Sequence, residues 1–159
     1  MKPMSSNITD MLNKLLVNEL TAVDQYFVHW AIFNHWGLKE LANKLSTELE
    51  EEREHAQKLI ERLLFLEGSP NINGRAALKV GKTLPEMLTN DLDLEVQVIQ
   101  DLKDSIKVSE SAGDFVTREL LLELLRDSET GHAYWLEQQL SLIQRIGLQN
   151  YKQSMMGLA

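Results

Sequence analysis

Apolar residues recur every three or four positions along most of this chain, which is the spacing of one face of an α-helix. The pattern predicts four long helices and one short helix, at about residues 6–36, 39–67, 84–112, 114–146 and 148–156. Gly37, Gly68, Gly113 and Gly147 directly follow the four long segments, and glycine often ends a helix because it adopts the left-handed conformation at little cost. We therefore predict an all-α fold that forms a single domain over residues 1–159.

The lengths of the connections predict how these helices are arranged. The turns at Gly37 and Gly113 are short, so the helices that they join should be antiparallel neighbours. Residues 69–83 form the one long connection, and a loop of about 15 residues spans roughly 50 Å when extended. That exceeds the ~44 Å length of a helix of about 29 residues. The loop can therefore cross the whole bundle and place the third helix parallel to the second.

Six acidic or histidine residues interrupt the apolar faces of the four long helices. They are Glu19, Glu52, His55, Glu95, Glu129 and His132. Residues three apart lie on the same side of a helix, so the pairs Glu52/His55 and Glu129/His132 can each aim a carboxylate and an imidazole at one point. Taken alone, such a pair on a Glu-rich helix most often belongs to a solvated face, and a lone histidine on an apolar face is most often a core residue.

The positions of these residues relative to the turns favour a shared site instead. In the first hairpin, Glu19 and His55 are equidistant from the glycine of the turn, and in the second, Glu95 and His132 are equidistant from theirs to within one position. The two halves also repeat, since the interval from His55 to His132 is only one position longer than that from Glu19 to Glu95. The extra residue in the second half precedes Glu129, and we predict that a π-bulge absorbs it.

Four carboxylates buried without partners would cost several kcal/mol each, and a pair of cations would offset that cost. One glutamate from each of two helices and a Glu-x-x-His motif from each of the other two is the ligand set of di-iron and di-manganese carboxylate bundles. These donors suit Fe or Mn, with Zn as an adventitious occupant. We predict that Glu52 and Glu129 bridge the metals and that Glu19 and Glu95 each bind one. Two Fe(II) ions held in this way would deliver two electrons to O2 or H2O2.

Two further residues lie near these ligands along the helices. Tyr26 is on the same apolar face as Glu19 and would donate a hydrogen bond or an electron to the centre, although a core tyrosine fits the pattern equally well. Asp91 precedes Glu95 by one turn and is a candidate hydrogen-bond acceptor for a ligand histidine.

Composition and charge exclude several other kinds of function. The chain has no cysteine, which excludes disulfides, zinc–cysteine sites, cysteine-ligated iron–sulfur clusters and thiol catalysis. Its formal net charge is -8 and its basic residues are scattered, so we expect no nucleic-acid partner. No run approaches the roughly 18–20 apolar residues of a membrane span, and no signal peptide is evident. We therefore expect no membrane association and a cytoplasmic location.

Several segments of the chain resemble the bacterioferritins. They are residues 18–27, 52–56, 62–71, 129–132, 135–137 and 147–151, and the resemblance extends over essentially the whole chain. It implies a ferritin-like four-helix bundle and a hollow cage of 24 subunits. In that family each subunit oxidises Fe(II) to Fe(III) at its own di-iron ferroxidase centre, and the cage stores the ferric mineral. All six residues named above match the family's di-iron ligands, and the short fifth helix would line the four-fold channels.

One position departs from the haem-binding members of that family. Their haem ligand is a methionine directly after the bridging glutamate of the second helix, and this chain has Arg53 there. A guanidinium offers no thioether sulfur, so we expect no haem in a homo-oligomer and a closer likeness to the haem-less bacterial ferritins. A hetero-oligomer with a haem-binding bacterioferritin subunit stays open, and a ferredoxin is a candidate partner for iron release. Thr47 and Glu51 replace the His and Asp of an inner-surface iron site in some members.

Other functions fit the sequence less well. A non-haem structural or assembly subunit of a mixed bacterioferritin cage is the main alternative, and the loss of any one metal ligand would favour it. A DNA-protecting mini-ferritin builds its metal site between subunits and usually has a basic tail, whereas this chain carries six ligands of its own. A rubrerythrin-type peroxidase needs cysteines for its second iron site.

Overall fold

The computed structural model describes residues 6–157, which contain helices and no strand. The helices are α1 (Ser6–His35), α2 (Lys39–Phe65), α3 (Leu84–Ser111), α4 (Phe115–Arg126), a π-helix (Asp127–Ala133), α5 (Tyr134–Ile146) and α6 (Leu148–Ser154). Helix α4, the π-helix and α5 follow one another without a break and form the fourth long helix. The predicted all-α bundle with a short C-terminal helix is confirmed. No helix in the described part of the chain is both long and apolar enough to cross a membrane.

Hydrogen bonds between α1 and α3 give the relative directions of the helices. Asn18 bonds to Asp101 near the end of α3 (2.8 Å), whereas His29, farther along α1, bonds to Asp91 near the start of α3 (2.8 Å). These two helices are therefore antiparallel. Helix α2 packs along α1 after the tight turn at Gly37, so α2 is antiparallel to α1 and parallel to α3. The predicted crossover between the second and third helices is confirmed.

The long connection between α2 and α3 runs along α1. The backbone N–H of Asn71 donates to Asn13 (2.7 Å) near the beginning of α1, and that of Gly81 donates to His29 (3.2 Å) near its end. The segment has no room for a side chain at Gly81, because a Cβ atom there would lie 2.5 Å from the backbone nitrogen of Met87. Hydrogen bonds to one helix thus hold this irregular segment in an extended path across the bundle.

The apolar core is divided into two main clusters. One includes Leu12 and Leu59, and the other includes Phe33 and Leu88. In α1, Glu19 lies between the residues that contribute to these clusters. The bundle therefore has two hydrophobic ends and a buried polar layer between them, and this layer contains the candidate site.

The fourth long helix widens where it passes this polar layer. Its buried residues include Leu121, Leu124, Ser128, His132 and Leu136. From Leu124 onward they are spaced by four, and the seven residues of the π-helix accommodate that wider spacing. The predicted π-bulge is confirmed. It inserts the additional residue while the helices on either side keep their apolar faces in the two core clusters.

Candidate metal centre

Five of the six predicted ligands meet in the polar layer. They are Glu19 from α1, Glu52 and His55 from α2, Glu95 from α3 and His132 from the π-helix. None is more than 2% exposed. The convergence of these side chains follows from the register of the two hairpins, because residues equidistant from a turn face each other across it.

The ligand atoms form two neighbouring groups that share one glutamate. In the first, His55 Nδ1 lies 3.6 Å from Glu19 Oε2 and 3.5 Å from Glu52 Oε2. In the second, His132 Nδ1 lies 2.5 Å from Glu52 Oε1 and 3.4 Å from Glu95 Oε1. The ligand atoms of each group lie within 4.8 Å of one another. Each group could hold one cation, with the two oxygens of Glu52 facing different positions.

The structure contradicts the prediction that Glu129 belongs to this centre. Its side chain is 52% exposed and lies 3.5 Å from Lys103 Nζ at the surface. The reason is the π-helix, whose turn contains more than four residues. The position three residues before His132 is therefore no longer on the same side of the helix, and the carboxylate of Glu129 is rotated away from the bundle centre.

Ser128 takes the inward position that the sequence assigned to Glu129. It is completely buried, and it precedes His132 by four residues, the spacing that the wider π-turn places on one side. Its hydroxyl has no hydrogen-bond partner among the described residues. The sequence contained a signal of this exchange, since the second half of the chain has one extra residue, but periodicity alone did not indicate which side chain would face inward.

Carboxylates outside the two groups face the Nε2 atoms of the histidines, and hydrogen bonds join His132 to Glu51 and His55 to Asp127. His132 Nε2 lies 2.6 Å from an oxygen of Glu48 and 2.6 Å from one of Glu51, and His55 Nε2 lies 2.9 Å from Asp127. Acceptors at Nε2 hold the proton on that nitrogen and leave Nδ1 available to a cation. Sequence reasoning missed Glu48 and Asp127. Glu48 could have been found, because it precedes Glu52 by one helical turn on the buried face.

Asp91 does not contact a ligand histidine, contrary to prediction. It accepts hydrogen bonds from His29 (2.8 Å) and from Gln25 (2.8 Å), all within the bundle interior. Since Gly81 N–H donates to Nε2 of His29, that nitrogen is an acceptor and the Nδ1–H group donates to Asp91. This buried network fastens the crossover segment to α1 and α3 beside the site.

The five candidate ligands strongly perturb one another's pKa values. Burial, then the charge of Glu52, raises the pKa of Glu19 well above its ordinary range. Burial disfavours the charged form of His55, but its contacts with Glu19 and Glu52 outweigh that effect and raise its pKa to about 11. Burial likewise opposes charge on His132, and the surrounding carboxylates again raise its pKa strongly. In the absence of a metal, both histidines are therefore protonated on both ring nitrogens at neutral pH, and their positive charge balances part of the carboxylate charge.

Tyr26 is a neighbour of the second group. Its hydroxyl donates a hydrogen bond to Glu95 Oε1. Burial, followed by the charges of Glu95 and Asp91, raises the pKa of Tyr26 well above its usual value. The phenol therefore keeps its proton and holds one carboxylate oxygen of Glu95 in place.

The unpaired atoms of the centre fit a pair of divalent cations. Several buried atoms have no hydrogen-bond partner among the described residues, namely Glu19 Oε2, both oxygens of Glu52, Glu95 Oε2, His55 Nδ1 and His132 Nδ1. Buried polar atoms are rarely left unpaired in folded proteins. Carboxylate oxygens with one imidazole nitrogen per position are donors that suit Fe, Mn or Zn.

Arg53 lies beside the centre in sequence but points away from it. The residue is exposed, and its guanidinium lies 3.4 Å from Glu50 on the surface of α2. Nothing at this position resembles a thioether ligand for haem.

Comparison with known proteins gives consistent matches over most of the chain. A family model described as the ferritin-like domain matches residues 9–146. The chain is 51% identical over 145 residues to a bacterial ferritin of Synechocystis sp., covering 91% of this chain and 93% of that protein. It is 48% identical over 147 residues to a bacterial ferritin of Pseudomonas aeruginosa, covering 92% and 95%. A bacterioferritin of Brucella melitensis is 40% identical over 146 residues, covering 92% and 90%.

Proposed function

Because this chain belongs to the ferritin-like family of iron-storage proteins, we propose that it oxidises Fe(II) at the buried centre and deposits the ferric product in a cage. One Fe(II) would bind between Glu19, Glu52 and His55, and the other between Glu52, Glu95 and His132. The observation that carries the proposal is the position of Glu52, whose two oxygens lie 3.5 Å and 2.5 Å from the Nδ1 atoms of different histidines.

The two Fe(II) ions supply the two electrons of the proposed reaction. Each Fe(II) gives up one electron. O2 accepts both electrons with two protons to form H2O2, and H2O2 would accept them with two protons to form two molecules of water. Holding both ions in one site allows the electrons to be delivered as a pair, so that a one-electron radical is not released.

The residues around the ions have separate tasks. His55 and His132 must lose their Nδ1 protons to bind, whereas Asp127 and Glu51 hold the Nε2 protons in place and fix the orientation of the rings. Tyr26 orients Glu95. The hydrophobic clusters at both ends of the bundle restrict water around the site, which strengthens the electrostatic interactions within it.

The test is oxidation of Fe(II) by a variant that lacks the shared carboxylate. The protein is loaded anaerobically with Fe(II) and mixed with O2, and the ferric absorbance is followed. We expect Glu52→Gln to lose the fast phase and Glu54→Gln, an exposed neighbour on α2, to retain it. An unchanged fast phase in Glu52→Gln would refute the proposed centre.

A second candidate function is a non-haem structural or assembly subunit of a mixed cage. The observation in its favour is the absence of Glu129 from the centre, since it leaves the fourth long helix without a carboxylate ligand. In that case the wild-type protein alone would show no fast oxidation phase, and the phase would appear only after co-assembly with a haem-binding bacterioferritin subunit.

Assembly into a cage is part of the same proposal. Ferritin-like proteins form oligomeric cages, and we propose a cage of 24 copies for this chain. The hetero-oligomer with a haem-binding subunit, the ferredoxin partner and the cytoplasmic location stay predictions.

A further inference from the structure

We propose that Ser128 Oγ is the oxygen donor that the fourth long helix supplies to the metal centre, and that it acts through a water molecule bound to the cations. This inference rests on the proposed function, because it concerns the same pair of cations. It gives a role to a residue whose type would not suggest metal binding.

The position of Ser128 within its helix is the first observation. The residue lies between Leu124 and His132 in the sequence of buried residues, at intervals of four. Its neighbour Asp127 lies 2.9 Å from His55 Nε2, which places this turn of the helix at the level of one ligand histidine. The other end of the same turn carries the second ligand histidine, His132. Ser128 therefore faces the bundle interior between the levels of the two imidazoles, whose ring centroids are 6.0 Å apart.

The hydroxyl itself is the second observation. Ser128 is completely buried, and its Oγ has no hydrogen-bond partner among the described residues. A serine inside a helix usually satisfies its hydroxyl by bonding to the carbonyl one turn earlier, as Ser109 does to Ser105 in this protein (2.9 Å). Because Ser128 is the neighbour of Asp127 and lies one π-turn before His132, we infer that its hydroxyl faces the polar layer. A buried hydroxyl without a protein partner indicates a bound water molecule or ion.

The length of the side chain determines how Ser128 would act. Serine is shorter than glutamate, so its oxygen stops short of the position that a bridging carboxylate would reach. A water molecule would bridge the two, because it can bind a cation and accept a hydrogen bond from Ser128 Oγ.

The charge of the centre favours the same arrangement. With Glu129 at the surface, three carboxylates, Glu19, Glu52 and Glu95, face the two cation positions. Two divalent cations would then carry one more positive charge than these direct ligands neutralise, since Glu48, Glu51 and Asp127 face the Nε2 atoms of the histidines and not the cation positions. Such a site favours a bound water that readily loses a proton. The fourth long helix would thus supply an exchangeable position in place of a fixed bridge.

The experiment compares Ser128→Ala with Glu129→Gln in the full-length protein. Co(II) is titrated anaerobically, and its visible absorption reports both affinity and coordination. We expect wild type and Glu129→Gln to bind two Co(II) per chain with the same affinity and spectrum. Ser128→Ala should bind Co(II) about tenfold more weakly, within the range that loss of an outer hydrogen-bond partner typically costs, and its spectrum should change.

A second measurement separates ligand binding from a structural role. Because the hydroxyl has no protein partner, we expect metal-free Ser128→Ala to melt at or above the wild-type temperature. A residue needed only for packing would lower that temperature. The melting temperature also shows directly whether the variant is folded.

Each other outcome overturns the inference. Weaker Co(II) binding in Glu129→Gln would show that Glu129 turns inward on loading and takes the bridging position. Identical titrations for Ser128→Ala and wild type would remove Ser128 from the centre. A wild-type protein that binds no Co(II), or binds it equally well after Glu52→Gln, would refute the proposed centre itself, and that result is distinguishable from the other two.

Discussion

Glu52 belongs to both candidate cation positions because its two carboxylate oxygens face different histidines. It is completely buried, and its oxygens lie 3.5 Å and 2.5 Å from the Nδ1 atoms of His55 and His132. Without a metal, its charge is balanced by protons on His55 and His132, since the same contacts raise the pKa values of both. The metal-free centre is thus an ion-pair cluster in which protons occupy the places of cations.

This exchange predicts that cation binding releases protons. The pKa of His55 is raised from 6.5 to about 11, so the metal-free protein retains this proton throughout the range between those values. The stabilising ion pair is complete below 6.5 and is lost as the pH rises through about 11. Because binding through Nδ1 displaces a proton from each histidine, we expect at least about two protons released per pair of cations and an affinity that increases with pH.

The release is measured by adding Zn(II) to weakly buffered protein with a pH indicator at neutral to mildly alkaline pH. Glu54→Gln, which changes an exposed carboxylate of α2, should release the same number of protons as wild type. Binding without proton release would mean that the histidines are already neutral in the metal-free protein.

At the scale of elements, the fourth long helix is the one that departs from regular geometry. The π-helix Asp127–Ala133 lets α4 pack with one core cluster and α5 with the other, while His132 still reaches the centre. Its wider turn also decides which neighbour of His132 faces inward. The beginning of this helix is held by a separate polar cluster, in which Asp114 accepts hydrogen bonds from Thr117 N–H (3.1 Å) and from Arg62 Nη2 (2.9 Å).

Replacement of Asp114 by alanine should destabilise the protein by about 2 kcal/mol, since it removes a helix cap and leaves the buried end of Arg62 without its carboxylate. Burial opposes ionisation of Asp114, but the hydrogen bonds from Thr117 and the charge of Arg62 lower its pKa below 3.8. Its contribution is therefore present above pH 3.8 and is lost as the pH falls through the lowered value.

Urea unfolding of the metal-free protein at fixed concentration tests this expectation. Asp93→Ala, an exposed position on α3, should change stability by no more than about 0.5 kcal/mol. The difference between Asp114→Ala and wild type should shrink in acid, below the lowered pKa of Asp114. An equal effect of the two substitutions would show that Asp114 is not a significant cap.

At the scale of the whole molecule, the chain leaves large apolar side chains exposed on several elements. Phe27 on α1 is 55% exposed, Phe65 at the end of α2 is 51% exposed and Phe115 at the start of α4 is 59% exposed. Scattered exposed apolar residues are common on monomers, but surfaces of this kind also suit contacts between identical subunits. They are compatible with the cage that the family membership suggests.

The proposed 24-subunit cage predicts a particle with twenty-four times the 18.2 kDa mass of the chain. Light scattering coupled to size-exclusion chromatography gives this mass directly. The same fraction should show no Soret absorbance after purification of this chain alone, because Arg53 stands where a haem-binding methionine would be needed. A stable dimer, or a haem spectrum in the homo-oligomer, would contradict these expectations.

The pattern along the chain was enough to predict the helices, the crossover and most of the candidate centre. Helical periodicity depends on local spacing, and the register of a hairpin depends only on counting outward from its turn. The pattern of the chain therefore sufficed to place five candidate ligands together, namely Glu19, Glu52, His55, Glu95 and His132. The extra residue ahead of His132 also predicted the π-bulge, because an insertion in a helix with fixed ends must be absorbed locally.

Contacts between helices select the side chains that complete the candidate centre. Helices α4 and α5 pack their apolar residues in different core clusters. The widened turn between them therefore places Ser128 inside the bundle and rotates Glu129 to the surface. The partners of the histidines depend in the same way on contacts across helices, as for Asp127 with His55. These contacts join residues far apart in the chain, and spacing along one helix carries no information about them.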